Sequence, residues 1–213
     1  MSASVHQARG ITMRFIGITG GVGAGKTEIV NYLRRHYKCE IYLADRIAEQ
    51  LQEPGNACFH ALISLLGEEI MTPDGRLDRG LMAEKIFADP EVLLQVNGIV
   101  HPAVRDFLSD RLKRAEESGE VELFFVEAAL LIEAGYRTLV DELWYVYADE
   151  TVRRERLSLS RGYSEDKISR IMASQLEEEA FRNNCDFIID NSGSLEESYK
   201  QIDRKLEAFT WQE

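Results

Sequence analysis

Eight consecutive residues, Gly20-Gly21-Val22-Gly23-Ala24-Gly25-Lys26-Thr27, fit the pattern G-x-x-x-x-G-K-[ST] at every specified position. Each residue type in it has a part in holding phosphate. Glycine at positions 20, 21, 23 and 25 opens backbone conformations closed to residues with a Cβ. Successive N–H groups, those of Val22 and Ala24 included, can then point into one concavity around phosphate oxygens. Lys26 can reach the terminal phosphates of a nucleoside triphosphate, and the Thr27 hydroxyl can ligate Mg²⁺. The loop grips a triphosphate but does not say whether the phosphoryl group goes to water or to a substrate.

The flanking segments supply the context such a loop needs. Met13-Arg14-Phe15-Ile16-Gly17-Ile18-Thr19 reads as a buried strand, and Glu28 to Arg35 as a helix with Ile29, Val30 and Leu33 on one face. That helix brings its N-terminal partial positive charge to the same spot. Further strands are expected at Cys39–Leu43, Leu123–Val126, Leu143–Tyr147 and Phe187–Ile189. Nearly continuous apolar strands separated by helical stretches indicate α/β architecture, a five-stranded parallel sheet flanked by helices. Glu127 closes the third strand, where an acid can hold Mg²⁺ through water or simply end the strand.

Between the second and third strands the chain is too long for a simple crossover. Residues 54–119 read as an inserted helical subdomain with helices over Phe59–Ile70, Leu81–Phe87 and Pro102–Ala115 and a turn at Thr72-Pro73-Asp74-Gly75. Pro102 suits the first turn of the third helix, with His101 just before it. Insertions at the carboxyl edge of an α/β sheet commonly build a second substrate's pocket.

The chain of 213 residues carries a formal net charge of −12, which argues against broad affinity for nucleic acid or an anionic membrane. A phosphate-rich ligand therefore needs a local basic cluster. Arg153, Arg154, Arg156, Arg161 and Arg170 provide one in residues 150–178, read as two helices, Glu150–Ser160 and Glu165–Glu178, forming a lid over the nucleotide. Cys39, Cys58 and Cys185 have no paired spacing, so neither a disulfide framework nor a zinc site is expected. No apolar run reaches the roughly 18 residues of a membrane span. A cytoplasmic protein, monomeric or weakly homo-oligomeric, is expected. Residues 1–12 read as a disordered extension or a misplaced start ahead of Met13, with 13–213 as a single domain. A helical insertion and an arginine lid suit small-molecule kinases, which must exclude water from the γ-phosphate. The Asn-Lys-x-Asp base-recognition motif of switch GTPases does not occur.

From Met13 to about Ala208 the sequence resembles the dephospho-CoA kinases, members of the P-loop kinase fold. The resemblance is carried by Ile16 through Thr27, Ala44-Asp45-Arg46-Ile47-Ala48, Glu53-Pro54-Gly55 and Gly75-Arg76-Leu77-Asp78-Arg79. It continues through Ile86-Phe87-Ala88-Asp89-Pro90, His101-Pro102, Leu130 to Gly135, Arg156 to Gly162, Arg170-Ile171 with Gln175, and Ile188 to Gly193. It implies ATP and Mg²⁺ as cofactors and the ribose 3′-hydroxyl of dephospho-coenzyme A as acceptor, with no nucleic-acid or membrane partner. Asp45 then matches the base that receives the hydroxyl's proton, although Asp at a strand-to-helix junction is also a favoured cap for a helix starting at Arg46. His101 and Leu130 match acceptor contacts, and Arg161 and Arg170 match lid arginines that neutralise the transferring group. Asn191 falls where a loop meets adenine, or is a turn residue. Two positions depart from the family pattern. Leu43 stands where the first acid of Asp-Ala-Asp is usual, and Ala129 where proline is usual. A nucleoside or nucleotide kinase of the same architecture, and a catalytically weakened nucleotide-binding protein, remain as alternatives.

Overall fold

The apolar runs become β1 (Arg14–Thr19), β2 (Cys39–Leu43), β3 (Leu123–Glu127), β4 (Glu142–Tyr147) and β5 (Phe187–Asp190) in a computed structural model that describes residues 13–210. The disordered extension expected at residues 1–12 lies outside the described residues. The strands form one sheet in the order β2-β3-β1-β4-β5. β1 pairs in parallel with β3 and with β4, and β4 with β5. The order reverses direction at β1, and in open α/β sheets a ligand crevice lies beyond the carboxyl ends of the strands at that point.

The described residues divide into two compact units, 13–41 with 115–210, and Tyr42–Arg114. In the first, the helices are α1 (Lys26–His36), α6 (Glu150–Arg161), α7 (Glu165–Ala173), α8 (Glu178–Asn184) and α9 (Leu195–Thr210). The second contains α2 (Ala44–Leu51), α3 (Ala57–Leu66), α4 (Arg79–Ala88) and most of α5 (Pro90–Ser118).

The core of the first unit is the sheet itself. Ile16, Ile18, Phe124, Phe125, Leu143 and Trp144 are wholly buried. Trp144 meets Phe125 and Phe187 edge-on, with ring centroids 5.6 and 5.2 Å away. Gly17 keeps β1 close to its neighbours. A Cβ there would lie 2.6 Å from Leu143 Cδ2 and 3.1 Å from Leu131 Cδ1. Gly17→Ala is therefore expected to destabilise the protein by about 1–3 kcal/mol through overpacking, read as a lower urea midpoint with an unchanged slope.

Ile29, Val30 and Leu33 are the buried face of α1, as their spacing requires. The helix is pinned from its other side by α9: Tyr32 stacks on Tyr199 with centroids 3.8 Å apart, and Asp203 accepts hydrogen bonds of 2.6 Å from both Tyr32 and Tyr37. Burial and the bonds to Asp203 push the Tyr32 hydroxyl up to about 12.

In the second unit Phe59, Leu62, Leu66 and Ile70 are buried. α3 stops at Leu66 rather than Ile70, because Gly67 turns the chain at φ 94° into a short 3₁₀ turn, Glu68–Ile70. The expected turn forms, with Gly75 at φ 80° donating to the Thr72 carbonyl at 2.9 Å and Met71 bridging Leu77. Asp78 then caps α4 by accepting from the N–H groups of Gly80 and Leu81.

The largest departure from expectation is α5. Pro102 does not open a helix; it lies inside one that begins at Pro90. Proline has no N–H to give the carbonyl of Gly98, a cost the helix carries. Val96, Val100, Val104 and Leu108 recur every four residues through that site and are all buried, so tertiary burial holds the helix continuous.

Candidate nucleotide site

The phosphate loop joins β1 to α1, and its glycines adopt the conformations that require them. Gly20, Gly23 and Gly25 have φ of 151°, 78° and 92°. Gly25 is the N-cap of α1, so the orphan N–H groups of that helix's first turn open directly onto the loop. Lys26 folds back along the loop and donates to the Gly20 carbonyl at 2.7 Å, with its Nζ 3.9 Å from Glu127 Oε1. Both side chains are largely buried, which strengthens their electrostatic interaction over that of a surface pair. Glu127 is brought there by register, since Ile18 at the end of β1 faces it across the ladder.

Thr27 is exposed in the first turn of α1. Among the described residues no cluster of three or more His, Cys, Asp or Glu could hold a metal unaided. The Thr27 hydroxyl and the Glu127 carboxylate are hard-oxygen groups of the kind Mg²⁺ accepts, a cation that retains waters and takes its other ligands from substrate phosphates.

The underside of the loop rests on side chains that the motif does not contain. Arg153 Nε donates to the Val22 carbonyl at 2.9 Å, and Gln175 Oε1 accepts from Val22 N at 3.1 Å and from Arg153 Nη2 at 2.8 Å. Arg156 donates to the carbonyls of Asn191 at 2.8 Å and Ala24 at 3.4 Å. Asn191, 1% exposed, donates its amide to the Ala24 carbonyl at 2.7 Å and accepts from Ser198 Oγ at 2.9 Å. Its side chain is thus committed to the loop. Asn191→Ala removes both bonds, leaving the Ala24 carbonyl with the longer bond from Arg156 and the Ser198 hydroxyl with the carbonyls of Asp190 and Ser194. It is expected to cost about 1 kcal/mol of stability, measured by chemical denaturation without ligand.

The five arginines divide by the face of α6 or α7 that carries them. Arg153 and Arg156 flank Leu157, the buried residue of α6, and turn inward to the loop. Arg154 bonds Glu150, Glu165 and Ser169, tying α6 to α7. Arg161 and Arg170 are exposed, and among the described residues neither is in an ion pair. Arg161 lies 5.9 Å from the Tyr163 ring centroid, whose other cation is Lys167 at 3.7 Å. The bond from Arg161 and the charge of Lys167 hold the Tyr163 hydroxyl below its usual range. The second expected lid helix is also shorter than its pattern: α7 stops at Ala173, and α8 starts only at Glu178. Gln175 lies in the bend between them.

Asp45 is exposed in the first turn of α2. It is not the cap: the helix begins at Ala44 and its N-cap is Leu43, which has no side-chain acceptor. His101 is half-buried in the middle of α5, where burial first and the Arg105 charge second hold its imidazole below the usual range. Leu130 is 55% exposed just beyond β3, while its neighbour Leu131 is wholly buried. The loop turns there on Thr19, whose hydroxyl donates to the Ala129 carbonyl at 3.1 Å.

A family model described as dephospho-CoA kinase matches residues 14–197. The chain belongs to the dephospho-CoA kinase family. It is 34% identical to the dephospho-CoA kinase of Carboxydothermus hydrogenoformans over 204 residues, 95% of this chain and 98% of that one. It is 36% identical to that of Geobacter sulfurreducens over 193 residues, 90% and 96% of the two chains. A crystal structure of TT1252 from Thermus thermophilus shares 30% identity at a TM-score of 0.78, covering 92% of this chain and 98% of that one. More distant solved structures share the fold, a dephospho-CoA kinase from Campylobacter jejuni at 19% identity and TM-score 0.66 among them. That structure covers 91% of this chain and 95% of its own. No helix among the described residues is long and apolar enough to cross a membrane.

The dephospho-CoA kinase motifs thus locate the loop and its first helix, but they leave out what lies beneath. Arg153, Arg156, Gln175 and Ser198 escaped assignment as loop supports. For α6 the sequence carries a signal, since positions 153 and 156 share a helical face with Leu157, its buried residue.

Proposed function

We propose that the protein transfers the γ-phosphoryl group of ATP to the ribose 3′-hydroxyl of dephospho-coenzyme A, the final step of coenzyme A synthesis. The observation that carries this reading is the family match over residues 14–197, which takes in the phosphate loop and Asp45 alike. The N–H groups of Gly23 and of residues 25–27 hold the phosphates at the start of α1, while those of Val22 and Ala24, expected there from the sequence, donate instead to Gln175 Oε1 and the Gly21 carbonyl. Lys26 places its charge at the terminal phosphates, and Thr27 and Glu127 are the residues that would hold Mg²⁺. Bound there, the metal neutralises charge on the β- and γ-phosphates.

Asp45 is the proposed base for the acceptor's hydroxyl proton, and its exposure leaves the carboxylate open to a ligand. His101 and Leu130 are proposed acceptor contacts. Arg161 and Arg170, outside any ion pair among the described residues, are proposed to meet the transferring group when a lid formed by residues 150–178 closes, excluding water. The bonds of Arg154 to Glu165 and Ser169 tie α6 to α7. Incubation with ATP and Mg²⁺ against dephospho-coenzyme A, nucleosides and nucleotides in separate reactions tests the assignment by product mass. Phosphorylated product from dephospho-coenzyme A alone is expected; phosphorylation of a nucleoside in preference to it would overturn the assignment.

A further inference from the structure

The tip of the phosphate loop is clamped on both of its backbone polar groups by side chains far away in sequence. Val22 N–H is held by Gln175 at 3.1 Å and Val22 C=O by Arg153 at 2.9 Å, and the two side chains are themselves joined at 2.8 Å. The guanidinium lies flat enough against the loop that a Cβ on Gly21 would come within 2.4 Å of its Nη2 and 2.6 Å of its Cζ. Gly23 lies against the backbone of the same helix, where a Cβ would be 2.9 Å from the Arg153 carbonyl. Gln175 follows α7 directly, in the bend where Ser174 and Gln175 donate to the carbonyls of Arg170 and Met172. One amide oxygen therefore links the loop, α6 and the end of the helix that carries Arg170.

We infer that Gln175 is a positioning residue that acts through the loop: its oxygen, shared by Val22 and Arg153, fixes the loop tip before nucleotide arrives. An unclamped tip samples other conformations, because glycines at 20, 21 and 23 leave its backbone soft. Binding then has to order it, and the affinity for ATP falls by the share of molecules already in the competent shape. The same bond anchors the end of α7, so its loss also frees the base of the helix bearing Arg170.

The function of Gln175 is that of an acceptor, which makes the clamp separable from mere packing. Gln175→Met keeps the length and volume and removes the acceptor. Gln175→Glu keeps the acceptor, and the neighbouring Arg153 guanidinium offsets the added charge. Fluorescent-ATP titration and thermal melting without ligand are run on the wild type and both variants, followed by steady-state kinetics with dephospho-coenzyme A. Gln175→Met is expected to weaken ATP binding by about tenfold, the scale of one backbone donor left unmatched, with a melting temperature within a few degrees of wild type and an unchanged KM for the acceptor. Gln175→Glu is expected to recover ATP affinity to within about threefold of wild type. ATP affinity within twofold of wild type in Gln175→Met would overturn the inference, as would equal losses in the two variants. The inference rests on the loop being an ATP site. Because binding is titrated directly, its outcome is readable even if the acceptor proves to be a different molecule.

Discussion

Lys26→Ala is expected to abolish phosphoryl transfer and leave a folded protein. The side chain already lies along the loop, donating to the Gly20 carbonyl at 2.7 Å with Glu127 at 3.9 Å, so it needs little rearrangement to meet a phosphate oxygen. Its charge is screened little, because both partners are largely buried. Removing a single neutral donor from a preorganised site costs about 10²–10³ in turnover, and a full positive charge opposite a triphosphate is worth more than that. A loss on the order of 10³-fold or greater is expected in a coupled assay. The fold depends on the sheet core and on the α1 to α9 contacts instead, so the melting temperature should move by no more than a few degrees. Lys26→Arg preserves charge but substitutes a broad planar fork for a compact ammonium, and it should rescue only a small part of the rate. Turnover within tenfold of wild type in Lys26→Ala would remove Lys26 from the transferring machinery.

What the sequence disclosed follows the range of the forces involved. The strands were legible because Phe124, Phe125 and Val126, or Leu143 to Val146, are buried on both faces and so carry uninterrupted apolar runs. The loop was legible because its glycines and Lys26 act through their own backbone and immediate neighbours. In α5 the four-residue spacing of Val96, Val100, Val104 and Leu108 runs past Pro102, and its burial outranks the local preference of proline for a helix start. The arginines illustrate the opposite limit. All five have the same chemistry, and only the helix's orientation against the loop sends Arg153 and Arg156 inward while Arg161 and Arg170 stay exposed. Asn191 and Gln175 work over separations of 167 and 153 residues, which no window of sequence spans.

Asp45→Asn separates binding from chemistry at the acceptor. The substitution keeps size and hydrogen-bonding capacity and deletes only the ability to take a proton. General-base catalysis contributes about 10²–10⁴-fold, so a loss of kcat in that range is expected, with ATP affinity within about twofold of wild type. The change at Leu43 bears on how much of the work Asp45 does alone. Position 43 is the N-cap of α2, with φ and ψ of −94° and 110°, and an acid there would accept from the helix's first N–H groups. An acid in that position would thus be engaged with backbone, and its replacement by leucine withholds a cap worth about 1 kcal/mol without touching a proton acceptor. Asp45, two residues further on and exposed, has no such backbone duty as the cap. On this argument Leu43→Asp should leave kcat within about threefold of wild type, whereas Asp45→Asn should not. A kcat raised a hundredfold by Leu43→Asp would show instead that the two acids act jointly, and that this chain has lost half of its base.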